Sequence, residues 1–190
     1  MKPLFTIHAG EYLVASEIEK RIGKNVRIWL PVKDTGVDIL VSNIKNTQQF
    51  SIQVKMTQDF LQKYQSILYQ EKLVSGGWFN ISKQKLIESP AEIWIFVLHS
   101  IRVKSYNYLI MKKQEVIKKL NQINQISNKS KSYMFYPWVA EDSKDGQYKC
   151  WDARGLRKKE RDKLVNGKFD CEPRDFSEYL NNWKKFSIFK

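Results

Sequence analysis

The sequence predicts an α/β protein: an αβββαβ core with a mixed sheet over residues 1–111, followed by a C-terminal α/β extension over residues 112–190. Three observations predict it. Ile7, Val14, Ile18 and Ile22 recur at spacings of seven, four and four, one stripe of an amphipathic helix. Three short runs rich in β-branched and apolar residues follow, separated by turn-forming segments. After a moderate helical pattern, Glu92-Ile-Trp-Ile-Phe-Val-Leu98 is a continuous apolar run of strand length, as expected of a strand buried on both faces. With 190 residues, 42% of them hydrophobic, the chain has ample material for a core.

Taken in order, the first helix ends at Gly23, a residue suited to the helix C-cap. Asn25-Val-Arg-Ile-Trp29 reads as the first strand, stopped by Pro31. Val37-Asp38-Ile39-Leu40-Val41 reads as the second, opened by Gly36, and Phe50 to Met56 as the third. The polar, turn-rich segment Ser42 to Gln49 joins these two, so they pair antiparallel. Gln58 to Val74 carries a helical pattern closed by Gly76-Gly77, Trp78 to Ile81 a short strand, and Ser82 to Ser89 a helical turn ended by Pro90. Tyr106 to Met111 alternates as a further strand. In the extension, Gln114 to Ile126 has helical spacing and Ser127 to Ser132 is a polar loop. Tyr133 to Trp138 reads as an aromatic strand interrupted by Pro137, and Tyr148 to Trp151 as another strand. Phe176, Tyr179, Leu180 and Trp183 are spaced as one side of a closing helix.

Polar residues inside these apolar elements are the functional signal. The strand period of two puts Gln53 and Lys55 on one face and Ile52, Val54 and Met56 on the other. Antiparallel pairing brings Asp38 beside Gln53 and Lys55. Glu11 falls inside the helix's apolar stripe, within roughly 60° of Ile7, Val14 and Ile18 at about 100° per residue. A carboxylate aimed at a core needs a cation, because an unpaired buried charge costs several kcal/mol, roughly 3–5 where a partner is removed. Either a metal ion or Lys55 answers that need.

The order Glu11, Asp38, Gln53-Val54-Lys55, with Gly10-Glu-Tyr-Leu-Val-Ala-Ser-Glu17 and Gly36-Val-Asp-Ile-Leu40, resembles the PD-(D/E)XK nuclease superfamily, the restriction-endonuclease-like fold, over roughly residues 7–111. Gln53 stands where the usual signature has its second acid, as in some restriction enzymes and transposase subunits. The resemblance implies a metal-dependent endodeoxyribonuclease acting on double-stranded DNA, of the restriction or mobile-element kind, with Glu11, Asp38, Gln53 and Lys55 as catalytic residues. Mg²⁺, with Mn²⁺ as a substitute, is the implied cofactor. Asp38, Glu11, the side-chain oxygen of Gln53 and the backbone carbonyl of Val54 are its implied ligands, and Lys55 orients the attacking water. Gln53 leaves one negative charge fewer around the ion, which favours a single metal. Two alternatives stand beside this reading: a nuclease-fold module that binds nucleic acid without cutting, and a structure-specific or RNA-processing nuclease.

Composition fits a polyanionic partner. Lys and Arg number 33 against 20 acids, a net charge of +13 that attracts phosphates without naming the substrate. Lys33 and the run carrying Arg154, Arg157, Lys158, Lys159 and Arg161 are the candidate nucleic-acid contacts, although a solvated surface helix has the same pattern as that run. Tyr133, Tyr136 and Trp151 are core residues or reading elements by the same token. His8, three residues before Glu11, is a candidate for tuning the site, and His99 is read as structural. Cys150 and Cys171 make neither a disulfide framework nor a zinc cluster. No stretch approaches eighteen apolar residues and no apolar signal core opens the chain, so the expectation is a cytoplasmic protein with no membrane partner. A cut through both strands needs two sites, which predicts a homodimer.

Overall fold

In the computed structural model, residues 9–33, 35–57, 67–100, 106–124 and 130–189 are described. The chain is a mixed α/β protein. Helix α1 (Ala9–Ile22) leads into β1 (Val26–Trp29), β2 (Ile39–Asn43) and β3 (Gln49–Met56). These strands form an antiparallel meander with Val26 opposite Asn43 and Ile39 opposite Ile52. The β2–β3 turn sets that register: Asn43 Oδ1 accepts the backbone N–H groups of Thr47 and Gln48, and Asn46 adopts φ +55, a conformation asparagine tolerates.

Helix α2 (Ile67–Lys72), β4 (Leu73–Gly76), β5 (Phe79–Ser82) and α3 (Lys83–Glu88) precede β6 (Ile93–Ser100). Strand β6 lies parallel to β3, with Gln53 beside Trp94 and Lys55 beside Phe96. Strand β7 (Tyr106–Lys112) runs antiparallel along the other edge of β6. The remaining elements are α4 (Lys113–Ile123), β8 (Ser132–Phe135), β9 (Pro137–Glu141), β10 (Tyr148–Asp152) and α5 (Lys158–Val165), followed by 3₁₀ turns. The main sheet has the order β1-β2-β3-β6-β4-β9-β10 with β7 on β6, while β5 and β8 form a separate ribbon.

Alternation along β6 explains the layers. Ile93, Ile95 and Val97 face α1, joining Val14, Ile18, Ile39, Val41, Ile52 and Val54 in one core. Trp94, Phe96 and Leu98 face the opposite way, into a second core with α4 and the β5–β8 ribbon. A third cluster under α5 includes Tyr69, Trp138, Trp151 and Leu164.

Several expectations need correction. The helical pattern to Val74 ends at Lys72, and Leu73–Gly76 is a buried strand held by β9 and β6. Pairing with residues so distant leaves no trace in local periodicity, and residues 58–66 lie outside the described set. Tyr133 to Trp138 is two strands in two sheets: β8 pairs with β5, and β9 enters the main sheet with Pro137 as its first residue. The closing helix over 176–183 is instead a 3₁₀ turn at Ser177–Tyr179, a bridge from Leu180 to Leu109, and a 3₁₀ segment from Trp183. Asn181 interrupts it at φ +51, exchanging bonds with Tyr108: its N–H reaches the Tyr108 carbonyl and its Oδ1 accepts the Tyr108 N–H. Strands β9 and β10, from the extension, belong to the same sheet as the first three strands.

Candidate functional site

The site forms where β2 starts and leaves the edge of β3 open. The Asp38 N–H donates to the Ile52 carbonyl at 2.8 Å, which continues the β2–β3 register and places Asp38 opposite Gln53. Side chains directly opposite share a face, and Lys55, two residues on, shares it too. Asp38 Oδ2 accepts the Val54 N–H at 2.7 Å and a hydrogen bond from Gln53 Nε2. The carboxylate thus caps the strand edge that β2 no longer covers. The N–H and carbonyl of one strand residue point to the same side, so the Val54 carbonyl lies along the Asp38 edge as well.

Gln53 is 7% exposed, and its partner is the acid itself. Lys55, half-buried, makes no salt bridge among the described residues; its Nζ lies over the Trp94 ring, 5.6 Å from the centroid. That contact holds the ammonium on the Asp38 face without neutralising the carboxylate. Trp94 itself is 2% exposed and forms part of the second core, so the platform under Lys55 is rigid.

Glu11 arrives from α1, which packs on the other face of β3. Gly10 permits the approach: a Cβ there would lie 2.9 Å from Met56 Cβ and 3.3 Å from Val54 Cγ1. Glu11 is half-buried next to this contact. Gly36, at φ +83, makes the turn into Asp38, and a Cβ there would meet Pro90 Cδ at 3.3 Å.

Glu11, Asp38, Gln53 and Lys55 line one cavity of about 1060 Å³. Exposed Leu30, Val32 and Met56 stand on its rim. Asn80, Ser82 and Lys85, from β5 and α3, supply a further wall. Among the described residues, no group of three or more His, Cys, Asp or Glu side chains is placed to hold a metal ion; the side chain against Asp38 is the neutral amide of Gln53. Two carboxylates, an amide and a backbone carbonyl suit one hard cation that keeps several waters, as Mg²⁺ does, rather than a closed protein cage. For Gln53 to serve as a ligand its amide must turn its oxygen toward the ion, because the nitrogen now faces Asp38.

Of the basic candidates, Lys33 lines the cavity, whereas the stretch from Arg154 to Arg161 does not. Two of its members are used inside the fold. Arg154 donates to the Ile123 carbonyl at 3.0 Å, and Arg161 lies 5.8 Å from the Trp138 ring centroid. Arg157 occupies the N-cap position of α5, its backbone N–H donating to Glu160 Oε2 at 2.8 Å, and Lys158 and Lys159 are exposed on the helix. Tyr133, Tyr136 and Trp151 are buried core residues. His99 packs edge-on against Tyr106, and His8 lies outside the described residues.

Trp94 and the wall of Asn80, Ser82 and Lys85 were not singled out by sequence reasoning. Trp94 reads as one more apolar residue of a central strand, and only the parallel β3–β6 register brings it to Gln53 and Lys55. Compared with known proteins, the chain matches no family model, no curated protein and no solved structure.

Proposed function

We propose that the protein is a metal-dependent nuclease of the PD-(D/E)XK kind that hydrolyses phosphodiester bonds in DNA. One observation carries the reading: Asp38, Gln53 and Lys55 share a strand face at an open sheet edge, in a cavity that Glu11 also lines. A helix, an antiparallel three-strand meander and a parallel strand beside the third, in that spatial order, support it further. Asp38, Glu11 and the Val54 carbonyl are the residues that would hold a divalent ion, with Gln53 after rotation of its amide. Such an ion supplies charge neutralisation on the scissile phosphate and an acidified water.

The chain's own residues do the rest. The Val54 N–H fixes the orientation of the Asp38 carboxylate. The Lys55 ammonium, held by Trp94, presents positive charge to a phosphate oxygen on the Asp38 face, where charge develops in the transition state. The charge of +13 suits a polyanionic partner, and DNA is the polyanion that the resemblance implies.

The test is incubation of the purified protein with supercoiled plasmid in Mg²⁺ or Mn²⁺, against EDTA. Cleavage in metal alone, lost in Asp38→Ala and in Lys55→Ala, is the expected result. Cleavage that persists in Asp38→Ala overturns the assignment. One observation favours a second reading, a module that binds nucleic acid without cutting: the Gln53 amide nitrogen already occupies the acid. Metal-independent DNA binding with no cleavage under any metal identifies that case.

A further inference from the structure

We infer that the face of α3 carrying Lys85 and Glu88, with Ser82 at its N-cap, is the track along which the polynucleotide's phosphates run outside the scissile position. This rests on the nuclease reading for the choice of ligand. Ser82, Lys85, Glu88 and Ser89 all line the cavity that holds Asp38 and Lys55. Lys85 and Glu88, three apart, share one face of α3, with Ser82 at its N-cap and Ser89 at its C-cap, while Leu86 on the other side is fully buried in the second core. The face is fastened to the Asp38 loop: Ser89 Oγ donates to the Gly36 carbonyl at 3.5 Å, and Gly36 packs against Pro90. The wall and the acid therefore keep a fixed relation.

The chemistry of this face points to phosphate rather than to an apolar ligand. Small-molecule pockets are lined mainly by apolar side chains, whereas this face is hydroxyl, ammonium and carboxylate. Lys85 is exposed and makes no salt bridge among the described residues. Glu88 has Gln84 as its partner, whose Nε2 donates at 3.0 Å, so it leaves Lys85 unneutralised by direct contact while opposing a polyanion at the same wall. Lys85 and Glu88 thus act on one strand with opposite signs: the first attracts it and the second limits its affinity.

The experiment measures binding of a short fluorescein-labelled DNA duplex, and of its single strand, in EDTA over a salt series. Cleavage kinetics in Mg²⁺ run alongside. Lys85→Ala is expected to weaken binding roughly threefold to tenfold and to reduce the log–log salt slope by about one. It raises KM and leaves kcat unchanged, whereas Glu88→Gln tightens binding. An unchanged salt slope in Lys85→Ala, or weaker binding in Glu88→Gln, overturns the track. If wild-type protein never cleaves but the Lys85 and Glu88 effects appear, the nuclease reading falls and the track stands. If it cleaves and neither effect appears, the reverse holds.

Discussion

Asp38 and Asp152 are two aspartates at strand ends that use the same device in opposite settings. Each caps a backbone N–H, Asp38 that of Val54 at 2.7 Å and Asp152 that of Tyr136 at 2.9 Å. Around Asp152 the device is sealed. The residue has no solvent exposure, and Arg174 binds its carboxylate at 2.7 Å while also donating to the Asp152 and Arg154 carbonyls. Around Asp38 it is left open: the second donor is a neutral amide, the Lys55 ammonium lies over Trp94, and the group faces a cavity. A buried acid closed by arginine joins segments of the fold, while an acid left with a neutral partner at a cavity wall retains capacity for a cation. The difference lies in the partner and the access.

Four measurements test that contrast, from the largest effect to the smallest. Asp38→Ala is expected to abolish metal-dependent cleavage, at least a hundredfold, yet to cost only about 1 kcal/mol of stability, because water can replace one hydrogen bond at an open edge. A loss of stability as great as that of a core mutant would make Asp38 structural like Asp152. Arg174→Met is the converse. It strands the Asp152 carboxylate in the interior and should cost about 3–5 kcal/mol in denaturant unfolding, without changing the turnover of the protein that remains folded. A mild effect would show that Asp152 is not held as a buried ion pair.

Gln53→Glu sharpens the comparison by putting a second acid against Asp38. Two adjacent carboxylates without a cation repel, so Tm should fall in EDTA and recover with Mg²⁺ or Mn²⁺, with cleavage kept or raised. A Tm indifferent to metal argues against a cation at this edge, and complete inactivation means that the amide itself is needed. The smallest effect concerns pH. Burial pushes the Asp152 carboxyl up to about 6, against the opposing pull of the Tyr136 N–H and Arg174. A folded-state value above the unfolded one of about 4 means that the folded protein holds this proton more tightly. The contribution is complete below about pH 4 and is lost as pH rises through about 6. Stability of wild type minus that of Asp152→Asn should therefore rise as pH falls from about 7 to about 4, and a flat difference would contradict it.

How far the site was legible follows from the range of each contact. Period-two alternation over Phe50 to Met56 and a short polar turn are enough to bring Asp38 to the face of Gln53 and Lys55, because both lie within a single hairpin. The α1 stripe of Val14 and Ile18 is likewise local, and it puts Glu11 on the sheet side. Trp94 was invisible as a site residue because its place depends on β6 lying parallel to β3 after a long crossover. Lys85 was invisible because β5, which leads into α3, pairs with β8 in a ribbon outside the main sheet. Arg154 and Arg161 illustrate the opposite failure: a run of basic residues does not reveal which of them turn inward to a carbonyl or an indole.

Sequence by itself determined the elements whose partners are close along the chain: the first helix, the three-strand meander, the buried central strand, and the shared face of an acid, an amide and a lysine. Only the tertiary structure decided which distant segments complete the cavity, which cations are consumed inside the fold, and that residues 73–76 become strand rather than helix. The physical reason is that periodicity and turn chemistry report local energies. Strand pairing across more than sixty residues is settled by burial and hydrogen bonding with groups that no local window contains.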